Sequence, residues 1–123
     1  MKIIETKNAP QAIGPYSQAI IAGGMVYTSG QIAINPQSGN VEAQTIEQQT
    51  EQVCKNVAEL LKASGSDISK VVKTTCFLRN MEDFAAFNAV YEKYFVSKPA
   101  RSCVAVRELP KNVLVEVDTV AEI

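Results

Sequence analysis

The segment Pro99-Ala100-Arg101-Ser102-Cys103-Val104 joins a helix terminator to an apolar alternation. Side chains on a strand point the same way every second residue. Arg101 and Cys103 therefore share one face, and Ser102, Val104 and Val106 take the other. An arginine at the head of an apolar strand is costly to bury unless an anion meets it. Its planar fork fits a carboxylate with two parallel hydrogen bonds. Two readings follow: an internal ion pair or exposed strand end, and a clamp for the carboxylate of a small ligand. Glu116 stands in the strongly β-forming run from Val113 to about Ala121. It belongs either to a solvated face with Asp118 or to the wall of a cleft. Asn88 falls one helical turn from Phe84 and Tyr91, as a satisfied core amide or as a hydrogen-bonding group lining a site.

The composition removes several chemistries. The chain has no histidine, which takes away the commonest general base, the usual zinc nitrogen ligand and every Ser-His or Cys-His pair. Cys54, Cys76 and Cys103 are odd in number and lie more than twenty positions apart, so neither a disulfide framework nor a metal site is expected. Reduced thiols in a cytoplasmic protein are the simpler reading. Cys103 as a thiolate nucleophile would have Arg101 as its cation but no base. Twelve basic and thirteen acidic residues give a net charge of −1 with no block of like charge. Nothing electrostatic recommends nucleic acid or an anionic membrane. Met1 to Glu5 lacks the apolar core of a signal peptide, and no run is long enough to span a bilayer.

A length of 123 residues, 46% of them hydrophobic, suits one domain over 1–123 with a real core. Lys2 to Thr6 reads as a short strand. Tyr16 to Ala22 and Met25 to Gly30 read as strands joined at Gly23-Gly24, a two-residue hairpin link. Pairing Ala22 with Met25 sets Ser17 opposite Gly30 and Tyr16 opposite Gln31. Tyr16 and the Ser29-Gly30-Gln31 stretch then meet at the hairpin's open end. Gly30 reads as a bulge or strand stop, or as a point where a ligand approaches backbone. Thr45 to Gln48 resembles a capping box ahead of a helix whose apolar residues run from Ile46 to Leu61, and Gly65 stops it. Val71 to Leu78 is apolar on both faces, as in a central strand. Asn80 is placed to cap a second helix carrying Phe84, Phe87, Tyr91 and Tyr94. The order predicts an α+β sandwich with both helices on one face of a mixed sheet. The other face needs cover, which further copies of the chain would provide.

Four stretches in this order resemble one family. They are Ile13-Gly14-Pro15-Tyr16-Ser17-Gln18-Ala19, Ser29-Gly30-Gln31-Ile32, the Pro99 to Val104 segment, and Leu109-Pro110-Lys111 through Val115-Glu116-Val117. Together they are similar to the reactive intermediate deaminases, the RidA/YjgF family, over essentially the whole chain. Val96-Ser97-Lys98 is shorter than the matching stretch of some members. The resemblance implies a chorismate-mutase-like fold and a homotrimer with a pseudo-barrel core and three active sites between subunits. It implies that the last strand is central and unpaired with the strand before it. The turn at 109–112 taken alone would instead make a hairpin of those two strands.

The resemblance also assigns roles. Arg101 takes the substrate carboxylate, Gly30 and Cys103 offer backbone contacts, and Tyr16, Asn88 and Glu116 complete the site, with Ser29 beside Gly30. The implied reaction hydrolyses enamine and imine intermediates such as 2-aminoacrylate to a 2-keto acid and ammonia, without metal or cofactor. Glu116 would orient or deprotonate the attacking water. An imine is already electrophilic, so the missing histidine does not count against this chemistry. A ribonuclease or translation inhibitor, also attached to this family, would lack a basic patch here. A non-catalytic module binding a keto acid would use the same arginine.

Overall fold

A computed structural model describes residues 1–123. Strand β1 (Lys2–Ile4) pairs antiparallel with β2 (Ala19–Ala22), and β2 with β3 (Met25–Thr28). Gly23 and Gly24 have φ of 58° and 75°, the left-handed pair that a tight primed turn requires. Ala22 pairs with Met25, as the glycine link predicts. The strands are shorter than the hydrophobic runs. β1 ends at Ile4 and β2 begins only at Ala19; beyond that pair the Thr6 amide donates to Gln18 Oε1 at 2.8 Å and the Tyr16 amide to the Gly14 carbonyl at 2.9 Å. Beyond Thr28 the register survives for one more bond, from the Ser29 amide to the Gln18 carbonyl (2.9 Å). Gln31 then leaves the hairpin and bridges Val117 through a reciprocal pair of backbone bonds, so it does not stand opposite Tyr16.

Helix α1 (Ile46–Ala63) starts where the threonine cap was expected, with Gln48 N donating to Thr45 Oγ1 at 3.1 Å. The return half of the capping box goes elsewhere: Gln48 Oε1 accepts from the Gln44 amide. The helix ends as a Schellman motif, with Ser66 N bonded to Leu61 O, Gly65 N to Lys62 O, and Gly65 at φ 79°. Its buried side is not wholly apolar. Asn56 Nδ2 donates to the carbonyls of Ile32 and Ile34, and Gln49 Oε1 accepts from the Leu114 amide. These amides staple the 31–34 segment and the approach to the last strand to the helix.

Strand β4 (Val71–Leu78) follows, then helix α2 (Phe84–Tyr94). Asn80 makes no side-chain cap bond. A single 3₁₀ turn over Met81–Asp83 comes first and places Asp83 at the start of α2. Strand β5 (Ala100–Ala105) pairs parallel with β4 at one edge of the sheet. Strand β6 (Val115–Glu122) lies antiparallel between β3 and β4, which gives the order β1-β2-β3-β6-β4-β5. The last two strands form no hairpin. A parallel partner for β5 needs a crossover, and α2 supplies it.

The core lies between the sheet and the two helices. Val53, Val57, Leu60 and Leu61 of α1 meet Phe87 and Tyr91 of α2, Val71, Cys76 and Leu78 of β4, and Val115 and Val117 of β6. The chain is thus the expected α+β sandwich. The opposite face of the sheet carries no helix and shows Tyr27 and Val104 at nearly half exposure.

Candidate active site

Register decides where the charged residues go. Thr74 stands beside Arg101 on β5 and beside Thr119 on β6, and Cys76 beside Cys103 and Val117. Residues side by side in neighbouring strands share a face, so Arg101 and Cys103 point to the helix-covered side. Glu116 stands beside Phe77 and points to the open side. The two residues with the strongest claim to chemistry therefore occupy opposite faces within one chain.

The first cluster is built around Arg101. Its Nη1 donates to Asn88 Oδ1 at 2.8 Å, and its Cζ lies 4.9 Å from the Tyr91 ring centroid, 5.5 Å from that of Phe84 and 5.9 Å from that of Phe87. Cation–π contacts of this kind are worth about 0.5–2 kcal/mol. The aromatic bed is itself fixed. Tyr91 stacks on Phe95 with centroids 4.3 Å apart, and its hydroxyl shares a 2.7 Å hydrogen bond with Thr74 Oγ1. Arg101 is half-buried and is held by an amide and three rings, not by a carboxylate. This answers the first of its two readings: it is neither ion-paired nor a free strand end. One α2 face carries Phe84, Asn88 and Tyr91, and that face orients the guanidinium. The cleft beside it is lined by Tyr91, Phe95, Lys98 and Pro99.

Cys103, one step along the same face, is half-buried. Burial raises its thiol pKa, and the nearby Arg101 charge lowers it by less. Cys76 beside it is pushed up to about 12 by burial. Neither is a ready thiolate, which argues against the nucleophile reading.

The second cluster gathers Tyr16, Ser29, Gly30 and Glu116, with Ile13, Ile32 and Pro110 completing an open cavity of about 400 Å³. Ile13 N donates to the Tyr16 hydroxyl at 3.3 Å, which ties the loop across the cavity mouth. Ser29 Oγ donates to the Ser17 carbonyl at 2.5 Å, so this hydroxyl braces the hairpin end. Glu116 lies directly against Gly30. A Cβ at position 30 would sit on its carboxylate, 2.9 Å from Cδ and 3.1 Å from Cγ. Gly30 has an ordinary φ, so close approach and not backbone strain demands glycine here. Burial, and then the like charge of Asp118, raise the Glu116 pKa. A carboxylate so placed exchanges protons closer to neutrality than a solvated one.

The two buried amides of α1, Gln49 and Asn56, were not among the residues singled out from the sequence. Nothing in their spacing separates them from the polar face. The aromatic bed was partly visible, because Tyr91 lies three residues from Asn88 on the same helix. No group of three or more cysteine, aspartate or glutamate residues is arranged to hold a metal ion. No helix is long and apolar enough to cross a membrane.

Residues 6–123 match the family model described as Endoribonuclease L-PSP. AldR of Lactococcus lactis, named as a candidate regulator, is 55% identical over 100% of this chain and 98% of its own. The 2-iminobutanoate/2-iminopropanoate deaminase of Escherichia coli K12 is 45% identical over 98% of this chain and 96% of its own. The crystal structure of the Escherichia coli YjgF gene product superposes with a TM-score of 0.94 at 44% identity, covering 99% of this chain and 98% of that one. The sheet order and these full-length matches lead to one assignment: the chain belongs to the RidA/YjgF family, the family of reactive intermediate deaminases.

Proposed function

We propose that this protein hydrolyses short 2-enamino and 2-imino acids, 2-aminoacrylate/2-iminopropanoate and 2-iminobutanoate, to 2-keto acids and ammonia. The site is composite, with the Arg101 half from one copy and the Glu116 half from the next in a homotrimer. The observation that carries this reading is an arginine without an acidic partner on one sheet face and a carboxylate of raised pKa on the other. Each half lacks what the other has. The uncovered sheet face and the deaminase relative support the assembly and the reaction. A cytoplasmic setting accords with three free thiols.

In this mechanism Arg101, held by Asn88, binds the substrate carboxylate through its fork and fixes the C=N bond in the cleft. Backbone at Gly30 and Cys103 contacts the nitrogen or the water, and Tyr16 and Ser29 border it. Glu116 takes a proton from water as its oxygen attacks the imine carbon. Glu116 returns that proton to the nitrogen, which gives a neutral carbinolamine, and then carries the proton of the new hydroxyl to the same nitrogen as the carbinolamine collapses. The C–N bond breaks, a C=O bond forms and ammonia leaves. The oxygen comes from water, and no electron is lost or gained.

The test couples the protein to an enzyme that releases 2-aminoacrylate and follows keto-acid formation above the spontaneous rate. Mixing inactive Arg101→Ala and Glu116→Gln chains, after exchange of subunits, should restore part of the activity, since mixed trimers contain intact pairs. No acceleration by the native protein overturns the reaction, and no restoration overturns the composite site. The regulator's name on AldR favours one second reading, a keto-acid-binding module on the same arginine. Binding of keto acid without turnover would select it.

A further inference from the structure

Lys98 has no part in the mechanism above, yet its geometry is unusual. Its φ is 51°, in the left-handed region that disfavours a lysine. It also precedes Pro99, whose ring crowds the residue before it. The surroundings impose this conformation. Lys98 N donates to the Phe95 carbonyl at 3.1 Å, and the Ser97 hydroxyl donates to the Val71 carbonyl at 2.7 Å. Phe95 between them is 2% exposed. A backbone outlier held so firmly marks a position worth reading for function. The exposed Lys98 and the half-buried Arg101 line one cleft, together with Tyr91, Glu92, Phe95 and Pro99.

In the reaction proposed above, Arg101 is occupied by the carboxylate next to the imine. A methyl or ethyl side chain leaves Lys98 without use. A ligand with a second carboxylate would engage both cations, one through a fork and one through a flexible point charge. We propose that Lys98 is a specificity-determining residue that favours 2-imino dicarboxylic acids, the imines of acidic amino acids, over 2-iminopropanoate. The proposal rests on the imine-hydrolysis reading. The chemistry is unchanged: C=N and water give C=O and ammonia, and the second carboxylate takes no part in the bond changes.

The experiment generates imines in place from aspartate, glutamate and alanine with amino-acid oxidases and follows release of each keto acid. For the native protein, kcat/KM should be higher for the two dicarboxylic imines. Lys98→Gln should lower the ratio of dicarboxylic to 2-iminopropanoate kcat/KM about tenfold, the size of one charge-assisted contact. Lys98→Arg should keep the ratio. Lys98→Gly accepts the backbone conformation and should lose it as Gln does, which separates charge from strain. Calorimetric binding of 2-oxoglutarate against pyruvate to native and Lys98→Gln protein gives a readout free of turnover. A ratio and a binding preference that do not respond to Lys98→Gln overturn the proposal. Failure to hydrolyse any imine overturns the proposed reaction instead, and the binding comparison still decides the role of Lys98.

Discussion

Gly30 and Glu116 are packed so closely that a single methyl group on the first would displace the carboxylate of the second. The atoms in the way are the far end of a flexible side chain, which can swing aside at low cost. Gly30→Ala should therefore leave the fold within about 1 kcal/mol of native, helped by reduced unfolded-state entropy. It should nonetheless depress kcat/KM strongly, because Glu116 is driven from its place. Thermal melts beside steady-state kinetics check this. A fully active Gly30→Ala would detach the pair from catalysis.

Arg101→Lys keeps the charge and loses the fork. Losing one charge-assisted pair costs about 2–5 kcal/mol of transition-state binding, so activity should fall by about thirtyfold or more. Asn88 acts through Arg101 as a positioning residue. Asn88→Ala should cost about 1–2 kcal/mol, read mainly in KM. Asn88→Asp should be worse, because a carboxylate on the guanidinium competes with the substrate's own. Equal kinetics for the two Asn88 variants would argue that the amide serves only packing.

Cys103→Ser should retain most activity. The thiol is protonated at neutral pH, and no step requires attack by sulfur. Kinetics and the rate of alkylation by iodoacetamide are the measurements. A dead Cys103→Ser beside an active Arg101→Lys would exchange the two roles.

The raised pKa of Glu116 has two consequences of known sign. As a base it must be ionised, so kcat/KM should fall on the acid side at a pH above the ordinary carboxylate range. Its ionisation also costs folding stability. That cost is absent below the unfolded carboxylate pKa and grows as pH rises through the higher folded value. Glu116→Gln, always neutral, should gain melting temperature over native protein as pH rises above the ordinary carboxylate range, while losing activity. A gain that is flat across pH would trace to packing instead.

Light scattering should give a mass three times the 13.4 kDa chain. A monomer at micromolar concentration would remove the composite site.

Local features were the legible ones. Gly23-Gly24 announces its own turn, Gly65 its own helix stop, and the alternation at 101–106 its own facing. The Arg101–Asn88 contact was half-visible, since helical spacing puts Asn88 among the rings but cannot bring a strand to it. What stayed hidden depends on pairing between distant segments. The opposite facing of Arg101 and Glu116 follows from the registers of β5 and β6 on β4, and neither register is encoded near the residues themselves. Local turn chemistry at 109–112 even pointed to the wrong partner, because a short turn between two apolar runs is cheap and a crossover is not.

The insertion of β6 between β3 and β4 also governs how the molecule is made. Without it the earlier strands form two unjoined pieces, the three-stranded β1-β2-β3 on one side and β4 with β5 on the other. Only residues 115–122 can weld them, and they follow every other strand of the sheet in chain order. Until then both pieces carry bare strand edges, the state most open to aggregation. The welding contacts span long stretches of chain, which slows closure further. A nascent chain stalled short of this strand would thus be a client for chaperones, whatever the stability of the finished protein.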